Sequence, residues 1–302
     1  MTLSFRSHRR ASVVALAALT FVACSERLAP LDVTTEHLEW AAHGMLSEIE
    51  SGVAGLTAAG AMNVAFNVHY GGLYSPFQVV DPRCGVFSQS PPADSDSDAV
   101  PDDLRITFGG PACHFTHETG SLDLTGVIRI SDPLPGMATP AFTMALEDVG
   151  ITNAGTELNG FASRDGMAAV SGNASGLSQT VSWLENSHYD GYATFGVGLD
   201  WSGTFAAAQG SPITAGEPIP DGAYTLNGSI RYRQDARSAR FNITTVQPLQ
   251  YSTACVAAMA QGLAWAPFTA GMVRVAVQHN PDMGFAEITY TDCAVTVVLI
   301  GG

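Results

Sequence analysis

The chain reads as a mainly β protein: an antiparallel meander forming a curled sheet, sandwich or barrel, with one N-terminal helix. Three observations predict this. Apolar and polar residues alternate through many short runs after residue 61. Turn-forming residues separate those runs at short intervals. One stretch before them has helical spacing instead.

That stretch runs from Thr34 to about Leu56. Leu38, Ala42, Met45, Ile49, Val53 and Leu56 recur three or four residues apart and draw one apolar stripe. Thr34 or Thr35 can cap its start, and Gly52 is a candidate for its end. The strands follow. Val64, Phe66, Val68 and Tyr70 alternate with Ala65, Asn67 and His69. Runs at 122–130, 142–146, 180–184, 224–232, 241–246, 272–277, 285–290 and 294–300 have strand length and alternation. Asp132-Pro133, Asn153-Ala154-Gly155, Arg164-Asp165-Gly166 and Asp221-Gly222 read as turns. Sequential short strands with turn-length gaps favour antiparallel neighbours. The stretch 120–129 echoes 222–231, both starting with Gly and sharing Leu, Gly, Ile and Arg at matched places, at an offset of 102 residues. Two related halves meeting near 209–221 are one reading. Convergence of glycine-rich meanders is the other.

Composition limits the function. The chain has 302 residues, 46% hydrophobic and 14% charged, enough for a sizeable core. Its 13 basic and 28 acidic residues exclude a nucleic-acid binder, which needs a basic surface.

Residues 1–23 form a separate unit. Arg6, Arg9 and Arg10 precede an uncharged apolar run at 11–23, too short to span a bilayer of roughly 30 Å. It ends in Phe21-Val22-Ala23-Cys24. This resembles a bacterial lipobox, with Phe21 in place of the usual Leu, and 1–23 as a lipoprotein signal peptide. The resemblance implies that Cys24 becomes the N-terminus and carries diacylglycerol and an N-acyl chain. Several chains give the stable anchoring that one cannot. Ser25 follows, not Asp, which in the Gram-negative sorting pattern implies the outer membrane. Residues 24–35 are then a lipidated tether, and 36–302 a single large β-rich body. Removing the three N-terminal arginines leaves 10 arginines against 28 acids, a net charge of −18. Such a body is not drawn to an anionic leaflet, so the lipid must hold it.

Four cysteines remain: Cys84, Cys113, Cys255 and Cys293. An oxidising envelope and an even count point to disulfides. Locality favours Cys84–Cys113 and Cys255–Cys293. A four-cysteine zinc site competes but lacks any CxxC spacing.

The sharpest local motif is Asp94-Ser-Asp96-Ser-Asp98-Ala-Val100-Pro-Asp102. Carboxylates at alternate positions can converge on a hard cation, and Val100 can add its carbonyl. The motif resembles the calcium loops of thrombospondin type 3 repeats and dockerins. That resemblance implies Ca²⁺ bound by Asp94, Asp96, Asp98, Val100 and Asp102. Two departures stand out. Ala99 occupies the place of a turn glycine, so it must take an unfavourable positive φ. Arg105 stands where an acid would close the site.

Arg231 and Arg233 share one strand face and form a candidate anion site. Enzyme signatures are missing: there is no Gly-x-Ser-x-Gly elbow, His-Glu-x-x-His, P-loop or dinucleotide fingerprint. The chain is similar to β-rich Gram-negative envelope lipoproteins. A binding or structural envelope role follows, with an apolar ligand under the helix or an envelope protein as partner, and the body in the periplasm or at the cell surface. A secreted hydrolase is the rival.

Overall fold

The computed structural model describes residues 29–58, 61, 69–70, 73–74, 84–88, 93–117, 120–155, 159–191 and 194–301. The strands are β1 (Ala29–Pro30), β2 (His69–Tyr70), β3 (Leu73–Tyr74), β4 (Val86–Phe87), β5 (Asp103–Phe108), β6 (His114–His117), β7 (Gly120–Ser131) and β8 (Phe142–Ala154). They continue with β9 (Gly160–Asn173), β10 (Gly176–Tyr189), β11 (Phe195–Ala207), β12 (Gly222–Gln234), β13 (Arg237–Tyr251), β14 (Phe268–Val277), β15 (Phe285–Thr291) and β16 (Ala294–Ile300). Two helices are described: α1 (Thr35–Ala54) and α2 (Thr253–Ala260). Most of the run at 64–70 lies outside the described residues.

Fourteen strands form one open sheet in the order β16 through β7, then β5 and β4. Consecutive strands pair antiparallel. Short β1 joins β13 in parallel, and β6 joins β7. The sheet continues unbroken across 209–221, where β11 and β12 pair from Phe195↔Gln234 to Ala207↔Gly222. Of the architectures left open by the sequence, the curled sheet is the one found.

Alternation explains the sheet. Every second residue faces one side and is buried, as in Leu104, Ile106 and Phe108 on β5 or Val273, Val275 and Val277 on β14. Helix α1 lies against that side. Its capping box at Thr34 and His37 sets the start. Leu38, Ala42, Met45, Ile49 and Val53 are buried, so the apolar stripe is the packing face. Around the middle of α1, Glu48 faces Arg164 on β9 while Glu50 acts on Tyr290 of β15. Six strand spacings of roughly 4.8 Å would put β9 and β15 about 29 Å apart in a flat sheet. A helix only about 10–12 Å across meets both, so the sheet wraps around it.

Gly52 does not end the helix, which continues to Ala54. A Cβ at Gly52 would lie 2.8 Å from the Tyr224 hydroxyl and 2.9 Å from the Trp201 ring. The glycine is a point of close approach between helix and sheet. Arg164-Asp165-Gly166 is not a turn either; it lies inside β9. Gly166 is needed because a Cβ there would meet the Ser182 carbonyl and the Trp183 ring. Arg164 is tolerated there because Glu185 stands directly opposite on β10.

Both disulfides, Cys84–Cys113 and Cys255–Cys293, are formed. The outermost strand β16 carries no charge; Val295, Val297 and Leu299 pack on the core while Val298 and Ile300 are exposed. Among the described residues, no strand pairs with its outer edge.

The sheet has two distinct ends. Ala29 pairs with Arg237 beside the β12–β13 hairpin, so the chain enters there. Trp40 packs on Tyr232 at the same end. The loops 93–102, 132–141 and 208–221 all lie at the opposite end. A strand of 15 residues such as β13 puts the two ends about 45 Å apart.

Candidate metal centre

The acidic loop is built by its own side chains. Asp94 Oδ1 accepts hydrogen bonds from the Ser97 and Asp98 amides at 2.8 and 3.3 Å, and its Oδ2 accepts from Ala99 N at 3.0 Å. These bonds fold the chain tightly and hold two non-glycine residues at positive φ, Ser97 at 62° and Ala99 at 66°. The strain expected at Ala99 is therefore present, offset by the bond to Asp94.

The turn brings three of the sequence-predicted residues together. Asp94, Asp96 and Asp98 each offer one carboxylate oxygen, all within 4.8 Å of one another. Opposed ligands of one calcium ion are about 4.6–5.2 Å apart, so a single ion suits this spacing. Val100 is buried and its amide donates to Asp98 Oδ1 at 2.8 Å, helping to aim that carboxylate. Asp102 does not join the cluster. Its oxygens accept from Ser95 N at 2.9 Å and Ser95 Oγ at 2.6 Å. Those bonds hold its carboxyl below the usual range. Asp102 fastens the base of the loop.

Asp96 is the unusual member. Both its carboxylate oxygens are buried and neither has a hydrogen-bond partner. A buried carboxylate without donors is costly unless a cation compensates it. Two further groups come from the loop between β7 and β8. Thr139 N donates to the other oxygen of Asp98 at 3.1 Å, and its own buried hydroxyl lacks a partner. Asp132, only 6% exposed, has one oxygen bonded to Leu134 N at 2.7 Å and the other buried without a partner. Burial raises the Asp98 carboxyl above its ordinary value, and the charges of Asp96 and Asp132 raise it further. Asp132 and Thr139 were missed because they lie on another loop; Asp132-Pro133 carries only a turn signal in sequence.

The donor set is carboxylate and hydroxyl oxygen alone. That suits a hard cation such as calcium and not a soft transition metal. The absent closing acid at Arg105 has a substitute nearby in Asp132. Arg105 itself lies in β5, opposite Arg129 on β7.

Arg231 and Arg233 sit elsewhere, on the outer face of β12, beside a groove of about 450 Å³. Gly196 and Gly198 lie directly opposite them and leave its floor open. Arg233 donates to Asn186 at 2.9 Å across Gly196. Asp165 and Asp200 also line the groove, so its field is mixed.

Among the described residues, the interface between α1 and the concave face is tightly filled. Beneath α1 the free space is about 10 Å³, beside Glu48, Gln179 and Trp201. That accommodates about one water. Arg164 there bonds Glu185 at 2.9 Å and lies 3.9 Å from Glu48. These residues lock helix to sheet in an enclosed interface, and among the described residues they leave no cleft between them. The larger space lies at the end carrying the acidic loop, a cleft of about 300 Å³ between that loop, the end of α1 and the loop 208–221.

Cys24 lies outside the described residues. No described helix is long and apolar enough to cross a membrane. Comparison with known proteins finds no matching family model, no matching curated protein and no matching solved structure.

Proposed function

We infer that the protein is an outer-membrane lipoprotein, anchored through Cys24, whose β body presents a calcium-ordered binding or structural end away from the membrane. The observation that carries the calcium reading is the Asp96 carboxylate, buried beside two other aspartates with no donor to either oxygen. Asp94, Asp96 and Asp98 are the first ligands, with Asp132 and Thr139 as the adjoining oxygens. The position supports the anchoring. The chain enters the sheet at Ala29, and the acidic loop lies at the other end. A tethered body of −18 net charge is repelled by an anionic leaflet, which favours an upright arrangement with the cation site outermost.

Two measurements test this. Every described element follows Cys24, so the chain from Ser25 carries the whole described fold. Calorimetric titration of that chain should show one calcium site, on the order of 10⁻⁴–10⁻³ M as in extracellular modules. Asp96→Ala with Asp98→Ala should abolish it, and Asp132→Asn should weaken it. Identical heats for wild type and double variant would reject the site. For the anchor, Cys24→Ala should move the protein out of the membrane fraction. An unmodified Cys24 by intact mass in the wild-type protein would reject lipidation.

A further inference from the structure

The cleft of about 300 Å³ shares a wall with the cation loop. Asp98, Ala99 and Val100 form one side. Leu56 and Ala58, just beyond α1, form another, and Ile213 and Ile219 of the loop 208–221 a third. The buried faces of Leu56, Val100, Ile213 and Ile219 make the interior apolar. Among the described residues, Asp98 and Glu217 are its only charged lining residues, and no cation lines it. That charge balance disfavours carboxylate and phosphate groups. The volume is about twice that of a ~150 Å³ cavity that takes benzene.

The two sites are mechanically joined at Ala99. Its amide is held by Asp94, which faces the cation centre. Its methyl group faces Gly216 of the loop 208–221 so closely that a Cβ at Gly216 would lie 3.0 Å from it. Without a cation, Asp94, Asp96 and Asp98 repel one another and the turn that holds Ala99 at positive φ is opposed. A cation gathers the three carboxylates and fixes that turn, and with it one wall of the cleft.

We propose that the cleft is a binding site for a small uncharged apolar ligand, of the size of a two- or three-ring aromatic or a medium acyl chain, and that calcium at Asp94, Asp96 and Asp98 tightens this binding. It rests on the calcium reading above. Coupling between two sites is reciprocal, so the ligand must tighten calcium by the same factor.

The probe is N-phenyl-1-naphthylamine, whose fluorescence rises in apolar surroundings, titrated into the chain from Ser25 with saturating calcium or with chelator. Its affinity should rise at least about fivefold with calcium. Asp96→Asn should remove the calcium effect. Thr214→Trp, which fills the cleft from its exposed rim, should abolish probe binding while calorimetric calcium binding persists. Circular dichroism of each variant confirms that it is folded. Equal probe affinity with and without calcium, or undiminished binding to Thr214→Trp, overturns the proposal. Calcium binding without any probe binding also overturns it, and leaves the calcium reading standing. Absence of calcium binding removes both.

Discussion

Arg164→Ala is expected to cost about 3–5 kcal/mol of folding stability, the usual effect of breaking a buried ion pair from one side. Arg164 is 1% exposed, with Glu185 and Glu48 each 4% exposed. Its Nη2 donates to Glu185 at 2.9 Å and its Nε to the same oxygen at 3.3 Å. The variant leaves two carboxylates between helix and sheet without the guanidinium that offsets their burial. The pH dependence has a definite sign. Burial raises the Glu48 carboxyl above its ordinary value, and Arg164 opposes that rise. A raised folded-state value means stability present below the unfolded value near 4.5 and lost as pH rises through the folded one. Removing Arg164 lifts Glu48 further, so the deficit should be larger at pH 7 than at pH 5. Urea denaturation at the two pH values measures it. A loss below about 1 kcal/mol at pH 7 would mean that water reaches these carboxylates. A paired change to apolar residues of similar volume, Arg164→Met with Glu185→Leu, should recover the share due to Glu185 and leave the share due to Glu48, which stays buried without the guanidinium.

Replacing both Cys255 and Cys293 with Ser should cost about 4 kcal/mol, from the chain entropy of a closed loop of 38 residues. The bond joins α2 to the turn between β15 and β16. Cys293 also accepts two hydrogen bonds from beyond α2, from the Trp265 and Ala266 amides, each at 3.0 Å. Those bonds give the segment after α2 its hold on the sheet. Without the disulfide, 261–267 should open first, while the sheet persists. Denaturant midpoints of the reduced-cysteine variant and the wild type provide the comparison. A loss under about 1 kcal/mol would show that pairing of β14, β15 and β16 already restrains the loop.

The sequence makes the local features readable and hides those formed by chain return. Alternation locates β7, β12 and β15, because one face of each is buried and the period of two is visible within the strand itself. Asp94, Asp96 and Asp98 are legible for a similar reason, since five residues of chain hold all three. Asp132 and Thr139 are not. Thr139 meets Asp98 across forty-one residues, a proximity set by the pairing of β5 with β7. Arg164 was hidden by its neighbours. Arg-Asp-Gly is a turn sequence by composition, and only the opposing Glu185 makes its first residue acceptable in a core. The openness of the sheet was equally out of reach: alternation specifies which face is buried, and not whether the two outer strands meet.

An open sheet has to stop somewhere, and β16 stops it without the usual guards. The strand has no proline, no charge and no bulge along Ala294–Ile300. Unpaired among the described residues, its outward amides and carbonyls offer a template to any extended chain of similar character. Sheet geometry alone does not forbid a fifteenth strand from another molecule. What opposes it acts before contact: chains of −15 net charge repel each other before their edges align. At physiological ionic strength that repulsion reaches only about 8 Å. Solubility thus becomes a collective property of scattered acids and not of gatekeepers placed at the edge. If the excess of 28 acids over 13 basic residues is what keeps neighbouring copies apart, acidification and high salt are the conditions under which this fold should aggregate.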